Sequence, residues 1–95
     1  MTRRPKATSR EFISNGRVKV TEWRFAPGAE TGWHRHAHDY VVVPMTTGPL
    51  LLEEEDGSRT VDLRAGEPYA RQVGVEHNVI YPGTTEFVFI EIEVL

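Results

Sequence analysis

Short runs of alternating hydrophobic and polar residues, separated by turn residues, extend along most of this 95-residue chain. The clearest run is Phe87–Leu95, where the apolar even-numbered residues from Val88 to Val94 alternate with Glu91 and Glu93. Successive side chains of a β-strand point to opposite faces, so an alternation of period two predicts strands. No segment has a sustained apolar period of about 3.6 residues, the pattern of an amphipathic helix. The sequence therefore predicts an all-β chain.

Turn residues divide the chain into eight or nine short strands, roughly ten residues apart. Pairs such as Pro27-Gly28 mark turns, and Asp56-Gly57 is the strongest hairpin signal in the chain. The predicted strands are 17–25, 33–36, 40–43, 50–54, 59–63, 69–72, 77–81 and 87–95. Such a series predicts a sandwich or barrel, because an open sheet would expose long edges. Part of the core is expected to come from Val42, Leu50, Leu52, Val61, Val79, Phe89 and Ile90.

Composition narrows the classes of function. A chain of 95 residues forms one small domain, and its net charge of −3 argues against a nucleic-acid partner. The absence of cysteine excludes disulfides and cysteine–zinc sites, and it fits a reducing compartment. The chain has no apolar run of about 18 residues and no signal-peptide pattern, so no membrane partner is expected. The sequence predicts a cytoplasmic protein.

The first eleven residues differ from the rest in composition. They hold four of the eleven basic residues and show no apolar period. We expect residues 1–11 to form a flexible basic arm and residues 12–95 to form the single domain. An arm that binds an anion or a partner is the alternative.

Three histidines are the strongest candidates for chemistry. His34 and His36 are two residues apart, so on a strand their side chains point to the same face. His77 could be brought alongside them by a sheet that folds back. Three neutral imidazoles can hold a divalent metal ion and leave open positions for a substrate. Because a free imidazole titrates near pH 6.5, protons are expected to weaken metal binding below about pH 6.

The spacing of these residues resembles that of the cupin family. Gly28–Gly48 resembles the first cupin motif, in which a glycine is followed after five residues by His-x-His and later by another glycine. Gly66–His77 resembles the second motif, with two glycines ahead of one histidine. The resemblance covers Arg17–Leu95 and implies an antiparallel jelly-roll β-barrel open at one end to a small pocket. The segments around the histidines are more narrowly similar to small cupins associated with β-alanine degradation.

The chain also departs from the family's pattern. Tyr40 stands at the position of the glutamate ligand, Gln72 replaces a proline and Tyr81 replaces an asparagine. The resemblance therefore carries over the metal ligands His34, His36 and His77, but no carboxylate ligand.

Water is expected to complete the three-histidine site. Tyr40 is the candidate catalytic residue, as a hydrogen-bond donor or a substrate-positioning group. In one alternative, His38 is a fourth ligand, or a β-bulge turns Asp39 towards the metal. In another alternative, some histidines are hydrogen-bonded residues that line the pocket, and the protein uses no metal. Trp23, Arg24 and Arg71 could also reach a pocket, where an arginine would bind a substrate carboxylate.

Two classes of function remain open at this point. The first is a metal-dependent enzyme acting on a small molecule, such as a non-haem oxygenase or an isomerase or lyase. The second is a small-molecule-binding or sensing cupin whose metal site is structural or vestigial. Histidine ligands suit iron, zinc, nickel, manganese or copper, so the sequence predicts only a divalent ion. Metal analysis and a substrate-dependent oxygen-uptake assay would separate the two classes.

The sequence also predicts a homodimer. The last strand carries apolar residues on both faces, which leaves apolar surface to be covered. The resemblance to cupins implies that two copies pair their sheets or exchange strands near the N-terminus.

Overall fold

The computed structural model describes residues 3–95, which form nine strands. These are β1 (Thr8–Ser14), β2 (Val18–Phe25), β3 (His34–Arg35), β4 (Asp39–Pro44), β5 (Gly48–Glu54), β6 (Gly57–Leu63), β7 (Tyr69–Arg71), β8 (Glu76–Ile80) and β9 (Phe87–Val94). One sheet has the order β1-β2-β9-β4-β7 and the other β3-β8-β5-β6. All named strand pairs are antiparallel, so the prediction of an all-β antiparallel chain is confirmed. Within these residues, no helix is long and apolar enough to cross a membrane.

The strand that the sequence did not predict is β1. It pairs with β2 from Thr8↔Arg24 to Ser14↔Lys19, with an irregularity after Glu11. Residues 8–11 of the expected arm are thus part of a paired strand. All seven β1 side chains are exposed, so burial imposes no alternation that a sequence pattern could reveal. Residues 1 and 2 of the expected arm lie outside the described residues.

The hydrophobic core lies between the two sheets and is built around aromatic rings. Phe25 and Phe87 are completely buried, and their ring centroids are 6.3 Å apart in an edge-on arrangement. Phe89 packs on Phe25 at 5.5 Å. Five of the seven predicted core residues are buried: Val42, Leu50, Leu52, Val79 and Phe89. Val61 packs partly buried against this core.

Ile90 is the predicted core residue that the structure places differently. It is only half-buried, whereas its neighbours Phe89 and Glu91 are buried. Side chains alternate along a strand, so β9 turns its odd-numbered residues inward and Ile90 outward. The inward face of β9 therefore carries a carboxyl group into the space between the sheets.

Candidate metal centre

The three predicted histidines converge at one end of the space between the sheets. In the β3–β8 pair, His34 lies directly opposite His77, and His36 follows just beyond the end of β3. The Nε2 atom of His36 is 3.0 Å from that of His34 and 3.1 Å from that of His77. The candidate ligand atoms of the three residues all lie within 4.8 Å of one another. The structure thus brings together all three histidines that the sequence singled out.

The outer nitrogens of two of these rings have partners that orient them. His34 Nδ1 is 2.8 Å from the carbonyl oxygen of Gly32, so this nitrogen donates and leaves the Nε2 lone pair free. His36 Nδ1 is 3.5 Å from Glu91 Oε1, an electrostatic contact longer than a good hydrogen bond. His77 Nδ1 is buried and has no hydrogen-bond partner among residues 3–95. Partners of this kind fix the ring orientation of metal-binding histidines in proteins.

Burial keeps two of the imidazoles neutral. Burial, together with the neighbouring imidazole of His34, lowers the pKa of His36 to about 3 and the pKa of His77 to about 4. Neutral imidazole is the form that binds metals. A nitrogen–metal distance of about 2.1 Å and a right angle at the metal would separate two ligand nitrogens by about 3.0 Å. The spacing and protonation of these rings therefore fit a divalent ion.

The other wall of the site is the inner face of the larger sheet. Strand register places Tyr40 of β4 opposite Arg71 of β7, and Val42 opposite Tyr69. On its other side, Val42 is paired with Glu91 of β9. The cavity between the sheets has a volume of about 30 Å³. Its apolar lining residues are Val42, Leu50, Leu52, Val79 and Phe89.

Tyr40 lies against one of the histidines. Its ring stacks on His36 with the centroids 3.8 Å apart and the planes 15° from parallel. Its hydroxyl is buried and has no hydrogen-bond partner among the described residues. Burial raises the pKa of this hydroxyl above its usual range, so it remains a protonated donor at neutral pH. The arrangement gives Tyr40 a free donor inside the cavity.

Glu91 is the site residue that sequence reasoning missed. It is buried, lines the cavity and faces the Nδ1 edge of His36. Burial and the neighbouring Glu93 raise its pKa to about 7, against the opposing effects of Trp23 and Lys19. The sequence did contain a signal for Glu91, because it lies two residues from Phe89 and therefore on the same face of β9. A carboxyl group in phase with a core aromatic residue points inward.

The structure places the other candidates outside the histidine cluster. His38 is half-buried and does not belong to the group that could share an ion. Asp39 is exposed, and its carboxylate accepts a hydrogen bond of 2.8 Å from the amide of Val73. Arg24 is exposed and forms ion pairs with two glutamates of the surface. Trp23 and Arg71, in contrast, line the cavity.

Comparisons with known proteins agree with this architecture. The sequence model of the cupin domain matches residues 21–93. The beta-alanine degradation protein BauB of Pseudomonas aeruginosa PAO1 is 57% identical over 94 residues, covering 99% of each chain. A cupin domain from Bordetella pertussis Tohama I has a crystal structure that matches with a TM-score of 0.99 and 64% identity. That match covers 100% of this chain and 99% of the Bordetella chain.

A more distant structure shows the fold alone. A cupin superfamily protein from Desulfitobacterium hafniense DCB-2 matches with a TM-score of 0.75 at 16% identity, covering 100% of this chain and 83% of that one. The jelly-roll fold and the resemblance to cupins associated with β-alanine degradation, both expected from the sequence, are confirmed. The family match spans most of the chain, and the relatives match over nearly their whole length. This protein is a member of the cupin family.

Proposed function

We propose that this cupin binds one divalent metal ion through His34, His36 and His77 and acts on a small molecule beside that ion. The observation that carries the proposal is the close approach of three Nε2 atoms. The Nε2 atom of His36 is 3.0 Å from that of His34 and 3.1 Å from that of His77. Burial of His36 and His77 supports it, because buried neutral imidazoles suit metal binding. The name of the relative BauB supports a role in the breakdown of β-alanine.

The residues of the chain would have distinct tasks in such a site. A divalent ion held by three imidazoles keeps open positions at which a substrate oxygen or a water can be polarised. The carbonyl of Gly32 holds the ring of His34, and Glu91 faces the ring of His36. Tyr40 would donate a hydrogen bond to the substrate, which makes it the candidate catalytic residue. The apolar walls exclude bulk water and so strengthen these polar interactions.

An oxygenase and an isomerase or lyase both use a metal with open positions, so we propose a metal-dependent enzyme of one of these types. A binding or sensing cupin would hold the same metal without turnover. The assay that separates them uses protein purified without a chelator or a histidine tag. Its metal content is measured first, and oxygen uptake and loss of β-alanine or its breakdown products are then followed. Metal-dependent consumption supports an enzyme, and binding without consumption supports the second class.

Removing any of the three histidines should abolish metal binding. Calorimetric titration of the metal-free protein with Ni²⁺ or Zn²⁺ should give one ion per chain. His34→Ala, His36→Ala and His77→Ala should each lower the affinity beyond the ~10–100-fold that loss of an outer-shell partner costs. His38→Ala is the matched control and should bind as the wild type does, because His38 lies outside the cluster. A wild-type protein that binds no metal would contradict the proposal.

Tyr40→Phe should retain the metal but change the response to substrate. The substitution removes a buried hydroxyl that has no hydrogen-bond partner among the described residues. A buried, unpaired donor costs about 1–3 kcal/mol, so the free energy of unfolding in urea should stay equal or rise. The affinity for substrate or the turnover should fall while the metal content stays at one ion per chain. Tyr69→Phe, which removes a hydroxyl from the same wall, is the control. Loss of metal in Tyr40→Phe would show that Tyr40 is a ligand.

Acid should destabilise the metal-free protein in two stages. His36 and His77 have folded-state pKa values of about 3 and about 4, below the ordinary 6.5, so below pH 6.5 the unfolded chain takes up protons that the folded chain does not. Glu91 acts in the opposite direction between pH 7 and pH 4.5, because its folded-state pKa is raised to about 7. The free energy of unfolding should therefore fall gently from pH 6.5 to 4.5 and more steeply from pH 4.5 to about 4, where His77 begins to take up its proton in the folded state as well.

Urea denaturation of chelator-treated protein from pH 4 to pH 8 measures this profile. Glu91→Gln should make the fall between pH 6.5 and 4.5 steeper, since it removes the opposing group. His38→Ala should leave the profile unchanged. A stability that is constant over the whole range would show that His36 and His77 titrate alike in both states. The low pKa values also move proton competition for these two ligands below the pH 6 expected from free imidazole.

We also propose that the protein is a homodimer. Phe12 and Ile13 of β1 are exposed, as are Val94 and Leu95 at the end of the chain. Burying such side chains against a second copy removes apolar surface from water. Light scattering at micromolar concentrations should give twice the chain mass, and Ile13→Lys should shift the protein towards the monomer. A monomer mass for the wild type at all concentrations would contradict the proposal.

A further inference from the structure

Arg71 faces the cavity from the strand opposite the histidines. It pairs in register with Tyr40, and partners directly opposite each other share one face of a sheet. Because Tyr40 is buried between the sheets, Arg71 also projects inward, and it lines the cavity beside His36 and His77. It also lines a groove of about 380 Å³ that includes residues of β5 and β6. Arg71 therefore stands where the cavity opens towards this groove.

The charge of Arg71 is not balanced by a protein carboxylate. Among residues 3–95, its side chain forms no ion pair and no hydrogen bond, although it is half-buried. Arg59, which lines the same groove, is paired with Glu54. A partly desolvated guanidinium without a partner is costly, and its planar fork matches a carboxylate. The unpaired guanidinium of Arg71 therefore points to a ligand that carries an anionic group.

The buried hydroxyl of Tyr40 is the second unpaired donor on this wall. Glu91 and Glu93, the carboxyl groups of β9 that would repel an anion, are separated from β7 by β4. Neighbouring strands are about 4.8 Å apart, so the backbone of β9 at both residues is at least two strand spacings from that of Arg71. The cavity is thus cationic on the β7 side and carries its carboxyl group on the β9 side.

We propose that this site takes a small carboxylate, whose anionic group is held by Arg71 and the hydroxyl of Tyr40. The apolar residues that line the cavity suit an aliphatic chain on this carboxylate. The placement of the other end of the ligand beside the histidines rests on the proposed metal site. The anchoring of the carboxylate depends only on Arg71 and Tyr40, so it can be tested without a metal.

The probe is sodium propionate, with propionamide as the uncharged analogue, titrated into metal-free protein and followed by amide chemical shifts. Propionate should bind at least ~10-fold more tightly than propionamide, because charge-assisted, bidentate hydrogen bonds are the stronger ones. Arg71→Met should weaken propionate binding at least ~10-fold, and Arg71→Lys should weaken it less. Arg59→Met removes the same charge from the same groove and should change the affinity less than ~2-fold, since Arg59 already has a partner.

Several results would overturn the proposal: equal binding of acid and amide, wild-type affinity in Arg71→Met, or equal losses in Arg59→Met and Arg71→Met. The comparison of acid with amide uses only the wild type, so it decides even if Arg71→Met fails to fold. A parallel titration with Ni²⁺ separates this proposal from the proposed function. Arg71-dependent propionate binding without any Ni²⁺ binding supports carboxylate binding by Arg71 and contradicts the metal site. One bound Ni²⁺ without propionate binding supports the metal site and contradicts carboxylate binding by Arg71.

Discussion

The pairing of β3 with β8 is the interaction on which the candidate site depends. It sets His34 opposite His77, yet β3 contains only two residues. Backbone hydrogen bonds beyond its end keep it in place: the amide of His36 donates to Val75, and the amide of Gly74 donates to His36, both at 2.8 Å. His36 is therefore held in place by hydrogen bonds of both its amide and its carbonyl oxygen. Sheet register thus sets the positions of His34 and His77, and the backbone hydrogen bonds just beyond β3 set that of His36.

Much of the fold could be predicted because its information is local. Period-two runs bounded by turn residues located eight of the nine strands, and the glycine and histidine spacing identified the three clustered rings. Glu91 was missed for a different reason. β9 has apolar residues on both faces, with Phe89 on one and Ile90 on the other. Alternation then shows that two faces exist, but only the packing of the sheets decides which one turns inward.

The electrostatic properties of the site could not be predicted, because they come chiefly from burial, which appears only on folding. The apolar walls remove water from His36, His77, Glu91 and the hydroxyl of Tyr40, which are buried between the sheets. As a result the pKa values of His36 and His77 fall, that of Glu91 rises, and the hydroxyl of Tyr40 is left without a partner. Burial, the largest cause of each shift, therefore prepares neutral ligands, a carboxyl group with a pKa near 7 and an unpaired donor.

The exposure of β1 has a consequence for how this protein can diverge. All of its side chains are exposed, and β2 holds the strand through backbone amides and carbonyls, with an ion pair between Lys19 and Glu11 as a side-chain contact. Most residues other than proline can supply those groups, so substitutions in β1 leave the core untouched even where they alter the proposed contact with a second copy. The match to the family begins at residue 21, inside β2, and leaves this strand out. A strand held chiefly by its main chain can thus keep its place in the sheet while its side chains change.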